Sequence, residues 1–285
     1  MLKNNLSFIV ITYQEERNIR ACIESIKKDK NNIFVVDSYS SDKTQEILAE
    51  MDVNYCEHEF ISYADKRNWS QSNNPFNTEW VFHLDADERV SDELSNWLLK
   101  DFGNLNHNYD GFMFSRRVIF MGKQIKYGGI YPNYHLNLFR SDKGYVENLL
   151  YDSNFVVEGN NVKEIKKADI INTVSPSLEK FIVVHNKWSS LEADEIFKGG
   201  GAETSQVEAK IFGNSVERIQ WAKKNIYSNF PLTIRSLLFF LYRYIFRLGF
   251  LDGRRGFIFH FLQGFWYRFL VDAKIYELEL KDEKS

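Results

Sequence analysis

The sequence has few cysteines, and this scarcity limits the kinds of site it can form. Cys22 and Cys56 are the only two, and they make no CxxC or Cys/His spacing. Neither a structural zinc site nor a disulfide framework is therefore expected. A reducing cytoplasm fits this cysteine usage.

Long apolar runs are also lacking. The two most apolar stretches, 237–251 and 257–271, are interrupted by Arg243, Arg247, His260 and Arg268. A spanning helix needs about 18 predominantly apolar residues, so neither stretch is predicted to cross a membrane. Residues 1–12 contain no charged segment followed by a long apolar one, so no export signal is expected.

Charge is modest overall but unevenly distributed. The chain carries a net charge of -3, which argues against a general nucleic-acid binder. Between 231 and 275, however, there are seven basic residues and only two acidic ones, and thirteen aromatic residues lie between 239 and 269. We therefore predict a separate basic, aromatic region at 230–285 that follows a domain at 1–229.

The first hundred residues alternate strand-like and helical patterns. Apolar runs of strand length occur at 6–12, 33–37, 53–56 and 79–84, and helical patterns follow at 15–28, 42–51, 62–72 and from 91. Parallel neighbours require crossover helices, so this alternation predicts a Rossmann-like, mainly parallel central sheet flanked by helices. We assign 1–100 to a nucleotide-binding half of this α/β fold.

Beyond residue 100 the pattern changes. Strand-like segments at 111–120, 134–140 and 154–157 precede a polar helical region at 178–229. We interpret 101–229 as an acceptor half with a mixed sheet. After Pro231 an amphipathic helical extension is expected.

Glycine-rich phosphate loops are absent: no strand is followed by GxGxxG or GxxxxGK[ST]. A bound diphosphate would then need a metal ion. Ligands of open α/β sheets bind beyond the carboxyl ends of the strands, where Thr12, Tyr13, Asp37 and Asp85 are expected. The segment Asp85-Ala86-Asp87 offers two carboxylates, one for a ribose and one for a hard divalent cation. A solvated acidic turn is the alternative interpretation.

Other charged residues offer further candidates. Lys66 and Arg67 begin the helix before the Asp85 strand and could meet a diphosphate, although a solvated helix face is the alternative. Asp152 and Glu147 are candidate bases in the acceptor half, or simply solvated carboxylates. His135 and His185 have no helix-spaced partner and are expected to be structural.

Six ordered motifs resemble family 2 glycosyltransferases, and more closely the bacterial lipopolysaccharide-core β-1,4-glucosyltransferase subgroup. They are Thr12-Tyr13-Gln14-Glu15-Glu16-Arg17-Asn18, VVDSYSSDKT (35–44), YADKRNW (63–69), WVFHLDADER (80–89), GGIYPNYHLNLFR (128–140) and RLGFLDGRRGF (247–257). The resemblance implies a GT-A fold that binds a UDP-sugar. It places the end of the first strand, with Thr12, Tyr13 and Glu15, and Asp37 around the uridine.

The resemblance also implies roles in the acidic turn. Asp85, with Ala86, would face the ribose, and Asp87 would bind Mg²⁺ or Mn²⁺. Where the subgroup has Val-His-Glu, this chain has Leu150-Tyr151-Asp152, so the base assignment passes to Asp152, ahead of Glu147. Where the subgroup has Tyr-Pro-Asp, this chain has Tyr131-Pro132-Asn133, so an asparagine replaces the aspartate.

The implied reaction is an inverting, single in-line displacement on a hexose. UDP-glucose is the donor implied by the resemblance, with UDP-GlcNAc and UDP-galactose as alternatives, and a lipid-linked saccharide is the expected acceptor. A haloacid-dehalogenase-type phosphatase would have Thr at position 89, where this chain has Arg89. A non-catalytic membrane-bound nucleotide-binding protein would not need an acceptor half.

The C-terminal region is expected to lie on the inner face of the cell membrane. Arg235, Arg243 and Arg247 are spaced by eight and four residues, so they share one face of a helix predicted at 232–249. We expect these arginines to face anionic lipid headgroups while the apolar faces enter the acyl chains, with a second helix at 256–271. Packing on the catalytic domain, or on another subunit of a homo-oligomer, is the alternative.

Overall fold

The computed structural model describes residues 5–27, 32–148, 154–174, 177–199 and 205–283. Its strands are β1 Leu6–Thr12, β2 Asn32–Asp37, β3 Asn54–Glu57, β4 Trp80–Asp85, β5 Glu88–Val90, β6 Gly111–Phe120, β7 Lys123–Gln124, β8 Tyr134–Arg140, β9 Gly144–Val146, β10 Phe155–Val157 and β11 Val162–Thr173. Its α-helices are α1 Ile19–Ile26, α2 Thr44–Glu50, α3 Tyr63–Ser72, α4 Asp92–Lys100, α5 Phe102–Leu105, α6 Leu178–Phe197, α7 Ser215–Asn225, α8 Ile234–Leu241, α9 Gly253–Phe259 and α10 Tyr267–Asp282. Two π-helical segments, Tyr242–Phe246 and His260–Trp266, extend α8 and join α9 to α10.

One mixed sheet dominates the fold, with the strand order β3-β2-β1-β4-β8-β6-β11-β5, and β7 pairs with β6. The first four of these strands are parallel, as predicted from the alternation of strands and helices. The pairs β4/β8, β6/β8 and β5/β11 are antiparallel, so the second half of the sheet is not parallel. The α/β class predicted from the sequence, with a parallel half flanked by helices, is confirmed.

Local sequence explains why the helices on the nucleotide side begin where they do. The Ser62 side chain accepts a hydrogen bond from the Asp65 N–H and caps α3, and Ser91 caps α4 in the same way at Leu94. Both helices begin within one residue of the positions where the sequence predicts helical patterns. The apolar face of α1, with Ile19, Cys22 and Ile23, is buried against the sheet core.

The chain forms two compact units. Unit 1 comprises Met1–Arg116, Tyr134–Asn148 and Phe155–Asn172, and unit 2 comprises Arg117–Asn133, Leu149–Asn154 and Thr173–Ser285. The core of unit 1 is built from the parallel strands and the helices around them, with Trp80, Phe82 and Phe112 fully buried. The predicted boundary at residue 230 is not a limit of either unit, and it stays a prediction.

In unit 2 the C-terminal helices are held together by buried charged groups. The Arg235 guanidinium donates to Asp272 at 2.8 Å, and both side chains are at most 8% exposed. Arg243 is buried as well and donates to the Gly128 carbonyl at 3.2 Å and to Gln263 at 3.1 Å. Inside unit 2, Asp272 therefore neutralises the charge of Arg235, and the Gly128 carbonyl and Gln263 accept hydrogen bonds from Arg243.

The prediction that Arg235 and Arg243 face lipid headgroups is therefore wrong. Their spacing does place them on one side of a helix, but that side points inward, where Asp272 and the Gly128 carbonyl receive the guanidinium groups. Arg247 is exposed, and its guanidinium donates to the Tyr242 hydroxyl at 3.3 Å. Among the described residues, no helix is long and apolar enough to cross a membrane.

Candidate donor-binding site

The carboxyl ends of three parallel strands meet at one edge of the sheet. In the strand register Thr12 of β1 lies beside Asp37 of β2, and Ile11 of β1 lies beside Asp85 of β4. The sequence predicts this convergence from the alternation of strands and helices. Crevices of this kind are where open α/β sheets bind ligands.

Asp37 organises the loop that follows β2. Its side chain is fully buried and accepts hydrogen bonds from the Ser40 N–H at 2.7 Å, the Ser40 hydroxyl at 2.6 Å and the Gln45 amide at 2.8 Å. The Ser40 hydroxyl oxygen in turn accepts the Gln14 N–H at 2.8 Å. Asp37 thus ties the loop after β2 to the loop after β1.

The loop after β1 carries Tyr13 and Glu15. Tyr13 is 58% exposed, so its ring is open to a ligand. The Glu15 N–H donates to the Thr44 hydroxyl at 2.9 Å, and the Glu15 carboxylate accepts the Asn18 amide at 2.6 Å. These hydrogen bonds fix the loop at the entrance to α1.

Lys66 lies in the first turn of α3 and is buried beneath this edge. Its ammonium group donates to the Thr12 carbonyl at 2.6 Å. Burial lowers the pKa of Lys66 to about 8, although the carboxylates of Asp37 and Asp85 oppose the shift. The solvated helix face considered for Lys66 is therefore excluded, and the cation lies next to the strand ends.

Arg67 clamps the first carboxylate of the acidic turn. It is 8% exposed, donates to Asp85 at 2.6 Å, and lies with its guanidinium carbon 5.0 Å from the centre of the Phe155 ring. A charge-assisted hydrogen bond and a cation–π contact together fix the orientation of the guanidinium. The second amino nitrogen, Nη1, is buried and has no hydrogen-bond partner in the part of the chain that the structure describes.

The acidic turn is shaped by Glu88, a residue that we did not single out from the sequence. Glu88 is fully buried, accepts the Asp85 N–H at 3.0 Å and pairs with Arg116 at 2.9 Å. The Ala86 N–H donates to the Ile11 carbonyl at 3.2 Å. The position of Glu88, three residues after Asp85 and within the LDADER motif, was the only signal in the sequence.

Asp87 is buried close to several other carboxylates. Burial raises the pKa of Asp87 well above its ordinary value, and the carboxylates of Asp85, Glu88 and Glu15 add to the shift, which Arg116 only partly opposes. Within the described residues its carboxylate has no hydrogen bond or ion pair. Such an uncompensated carboxylate fits a divalent cation.

The described residues contain no group of three His, Cys, Asp or Glu side chains that could hold a metal ion by themselves. Protein ligands in such a site would be Asp87, with Asp85 beside it, and the remaining ligands would come from a bound diphosphate. This ligand set is typical of Mg²⁺ at phosphates, because Mg²⁺ is usually bound by one or two carboxylates together with phosphate oxygens. The residues therefore fit the expected metal.

Among the residues that the structure describes, three buried polar atoms at this edge have no hydrogen-bond partner: the Thr12 hydroxyl, the Ser38 hydroxyl and Nη1 of Arg67. Buried polar groups are nearly always hydrogen-bonded, so unsatisfied ones require an explanation. They lie on β1, directly after β2 and on α3, the elements that surround the strand ends. A polar ligand bound there would satisfy them.

Of the two candidate bases, only Glu147 lies within the described residues. Glu147 is 1% exposed and follows β9. Its neighbour Val146 exchanges two backbone hydrogen bonds with the Asn68 side chain, at 2.9 and 2.8 Å, next to Arg67 on α3. Glu147 is thereby anchored to the helix that carries the cations. Asp152 lies outside the described residues.

The family model described as "Glycosyl transferase family 2" matches residues 7–154, just over half of the chain. The chain is 26% identical over 286 residues to an uncharacterized glycosyltransferase of Rickettsia typhi, covering 97% of this chain and 88% of the relative. It is 27% identical over 280 residues to the lipopolysaccharide core biosynthesis glycosyltransferase LpsC of Rhizobium meliloti, covering 95% of this chain and 92% of LpsC. The crystal structure of S. aureus TarS 1–349 in complex with UDP is 16% identical, with a TM-score of 0.47 and coverage of 98% and 92%.

The matched residues include the strand ends, the two cations of α3, the acidic turn and Glu147. The family resemblance inferred from the six motifs is therefore confirmed, and with it the enzymatic class. The non-catalytic nucleotide-binding protein considered above is excluded. The chain is a glycosyltransferase and belongs to glycosyltransferase family 2.

Proposed function

We propose that the protein transfers a hexose from a UDP-sugar to a hydroxyl of a lipid-linked saccharide, with inversion at the anomeric carbon. The observation that carries the proposal is the set of unsatisfied buried atoms, Thr12 Oγ1, Ser38 Oγ and Arg67 Nη1, at the edge where the parallel strands end. A nucleotide supplies hydrogen-bonding groups in that position.

The chain's cations would bind the donor's phosphates. Lys66 and Arg67 lie at the start of α3, beside the acidic turn. Their positive charges already interact with the carboxylates of Asp37 and Asp85, and they would also attract the negative charge of the diphosphate. Asp37 and the loop around Tyr13 and Glu15 would hold the nucleoside, and Asp85 would face the ribose with Ala86 beside it.

Asp87 would hold a Mg²⁺ or Mn²⁺ ion, which supplies positive charge for the leaving diphosphate. Support for this role comes from the burial of Asp87, which raises its pKa, together with the neighbouring carboxylates that raise it further.

In the chemical step a carboxylate takes the proton of the acceptor hydroxyl as its oxygen forms a bond to the anomeric carbon. The bond from that carbon to the diphosphate oxygen breaks, and the nucleoside diphosphate leaves with the electron pair. A single displacement inverts the configuration at this carbon. Because a positioned base contributes roughly 10²- to 10⁴-fold, the base is essential to the rate.

We retain Asp152 as the first candidate base because it occupies the position of the subgroup's glutamate. Glu147 is the second candidate, supported by its burial and by the Val146–Asn68 hydrogen bonds beside Arg67. Asp152→Asn and Glu147→Gln keep the shape of each side chain and remove its basicity. The true base variant should lose about 10²-fold or more of the chemical rate while UDP binding is retained.

Single-turnover rates of the two variants, measured side by side, show whether Asp152 or Glu147 is the base. An inactive Asp152→Asn beside an active Glu147→Gln supports Asp152. The reverse result transfers the role to Glu147, and two fully active variants would exclude a carboxylate base at either position.

The proposed donor and acceptor follow from the family resemblance and from the relatives of the chain. UDP-glucose is our first choice of donor, with UDP-GlcNAc and UDP-galactose as alternatives. A glycolipid acceptor is supported by the name of LpsC, a lipopolysaccharide core biosynthesis glycosyltransferase. Release of UDP from a panel of UDP-sugars tests the donor: hydrolysis or transfer with none of them would overturn the proposed function.

A further inference from the structure

The outer face of the C-terminal helices in unit 2 is unusually apolar. Between residues 234 and 269, twelve large apolar or aromatic side chains are at least 39% exposed, and Phe246 reaches 76%. If each exposes about half of a side chain of roughly 150–250 Å², the twelve side chains together expose on the order of 1,000 Å². Monomers usually expose contiguous apolar patches of only about 300–600 Å².

The rings on this face form a continuous surface. Tyr244 contacts Phe250 and Phe257, with ring centres 6.3 and 5.6 Å apart. Phe257 contacts Phe261 at 6.1 Å, and the series continues through Phe265 to Phe269. We call this surface, between 234 and 269, the aromatic face. It runs from α8 and the first π-helical segment, through α9 and the second π-helical segment, into α10.

Exposed basic side chains adjoin the aromatic face. Arg254 and Arg255, at the start of α9, are exposed between Leu251 and Phe257, and the structure gives neither an ion pair. Arg247, beside Phe246, is exposed too. The only acid between 234 and 269 is Asp252, which is 3% exposed and accepts the backbone N–H groups of Lys126 and Tyr127.

The distribution of charge around the aromatic face distinguishes between two partners that could cover it, a second copy of the chain and a lipid surface. In a symmetric pair of chains the same surface meets itself, so the exposed arginines of each copy would meet a surface that has no exposed acid between 234 and 269. An anionic lipid surface instead supplies phosphate for the arginines and acyl chains for the rings. The charge distribution therefore favours lipid over a second copy of the chain.

We infer that the aromatic face and its exposed arginines dock unit 2 onto an anionic lipid bilayer, in the plane of the headgroups. The docking residues are Phe246, Leu251, Phe257, Phe261, Arg254 and Arg255. The buried Arg235 and Arg243 serve only to hold the helices in place. This surface is independent of the donor site, so it can be tested without transfer activity.

The test is sedimentation of the full chain with vesicles of phosphatidylcholine alone and of phosphatidylcholine mixed with phosphatidylglycerol. The wild type should sediment with the mixed vesicles at low salt, much less with phosphatidylcholine alone, and progressively less as salt is added. Arg254→Glu/Arg255→Glu should weaken binding by roughly 30-fold or more, because each arginine near such a surface contributes a factor of about five.

Phe246→Glu/Phe257→Glu should abolish sedimentation, since it places charge within the apolar contact. Matched controls lie in unit 1: Leu99→Glu alters an exposed leucine of α4, and Lys166→Glu/Lys167→Glu reverses two adjacent exposed lysines of β11. Both controls should sediment as the wild type does. Unchanged UDP binding in every variant shows that unit 1 is intact.

Three results would overturn the inference. The first is a wild type that stays in the supernatant with mixed vesicles at low salt. The second is a Phe246→Glu/Phe257→Glu variant that sediments as the wild type does. The third is a wild-type dimer in light scattering that dissociates in this variant without any vesicle binding, which would assign the aromatic face to a second copy of the chain.

Discussion

Removing Arg67 isolates the contribution of one cation to donor binding. Arg67→Ala deletes the 2.6 Å hydrogen bond to Asp85, the contact with the Phe155 ring and the unpartnered Nη1 beside the strand ends. Hydrogen bonds to charged groups contribute about 1.5–3 kcal/mol, so losing one such bond to the donor should weaken UDP binding roughly 10- to 150-fold. Isothermal titration calorimetry with UDP measures the change directly.

Arg140 provides a matched control for this variant. It also pairs with carboxylates, those of Glu79 and of Asp110 at 3.3 Å, and lies 4.8 Å from the centre of the Trp80 ring. It differs in position, because Trp80 begins β4 and Arg140 therefore lies at the opposite end of that strand from Asp85. Arg140→Ala should reduce stability and leave UDP affinity unchanged.

The comparison can refute the assignment. Equal UDP affinity in the wild type and a folded Arg67→Ala variant would show that Arg67 does not meet the donor. Equal losses in Arg67→Ala and Arg140→Ala would show that the effect is general destabilisation. Arg67→Lys should recover part of the affinity, since it restores the charge without the planar fork.

Two further predictions concern a pKa and a buried ion pair. Because burial lowers the pKa of Lys66 to about 8, UDP affinity should be full below that pH and fall as the pH rises through it, whereas Lys66→Met should remove this dependence in calorimetric titrations. Asp272→Asn leaves Arg235 buried without its counter-ion and should lower the free energy of unfolding by about 3–5 kcal/mol in urea titrations. Glu277→Gln breaks only the exposed pair with Lys281 and should leave the free energy of unfolding essentially unchanged, so equal effects of the two variants would show that the buried pair is not stabilising.

Most of the parallel half of the fold could be predicted because β1, β2 and β4 are short apolar runs that are buried almost throughout. β1 spans the predicted 6–12, and β6 and β8 also have their predicted limits. β11 was missed. Only four of its twelve residues are buried, and Lys167, with a φ of 61°, interrupts the alternation of inward and outward side chains. A local pattern cannot identify a strand whose pairing depends on distant neighbours.

The candidate site was predictable where a residue's position follows directly from a strand end. Asp37 and Asp85 belong to this group, and the structure brings them to one edge of the sheet. Glu88 and Phe155 were missed because their roles arise from contacts with Arg116 and Arg67. Neither contact has a sequence signature.

The orientation of the C-terminal arginines could not be predicted for a similar reason. Spacing places Arg235 and Arg243 on one side of a helix but does not indicate whether that side faces solvent. The answer depends on Asp272, thirty-seven residues after Arg235, and on the Gly128 carbonyl. Arginine on an aromatic helix is compatible with either environment until its partner is known.

In the proposed mechanism, transfer from a UDP-sugar depends on a divalent cation that Asp87 would bind. The most direct measurement is the rate of UDP release in EDTA and during Mn²⁺ titration, for the wild type and Asp87→Ala. We predict no turnover of the wild type in EDTA, full recovery with Mn²⁺, and no recovery for Asp87→Ala at any Mn²⁺ concentration. Undiminished turnover in EDTA, or an Asp87→Ala variant that Mn²⁺ activates as it does the wild type, would contradict the claim.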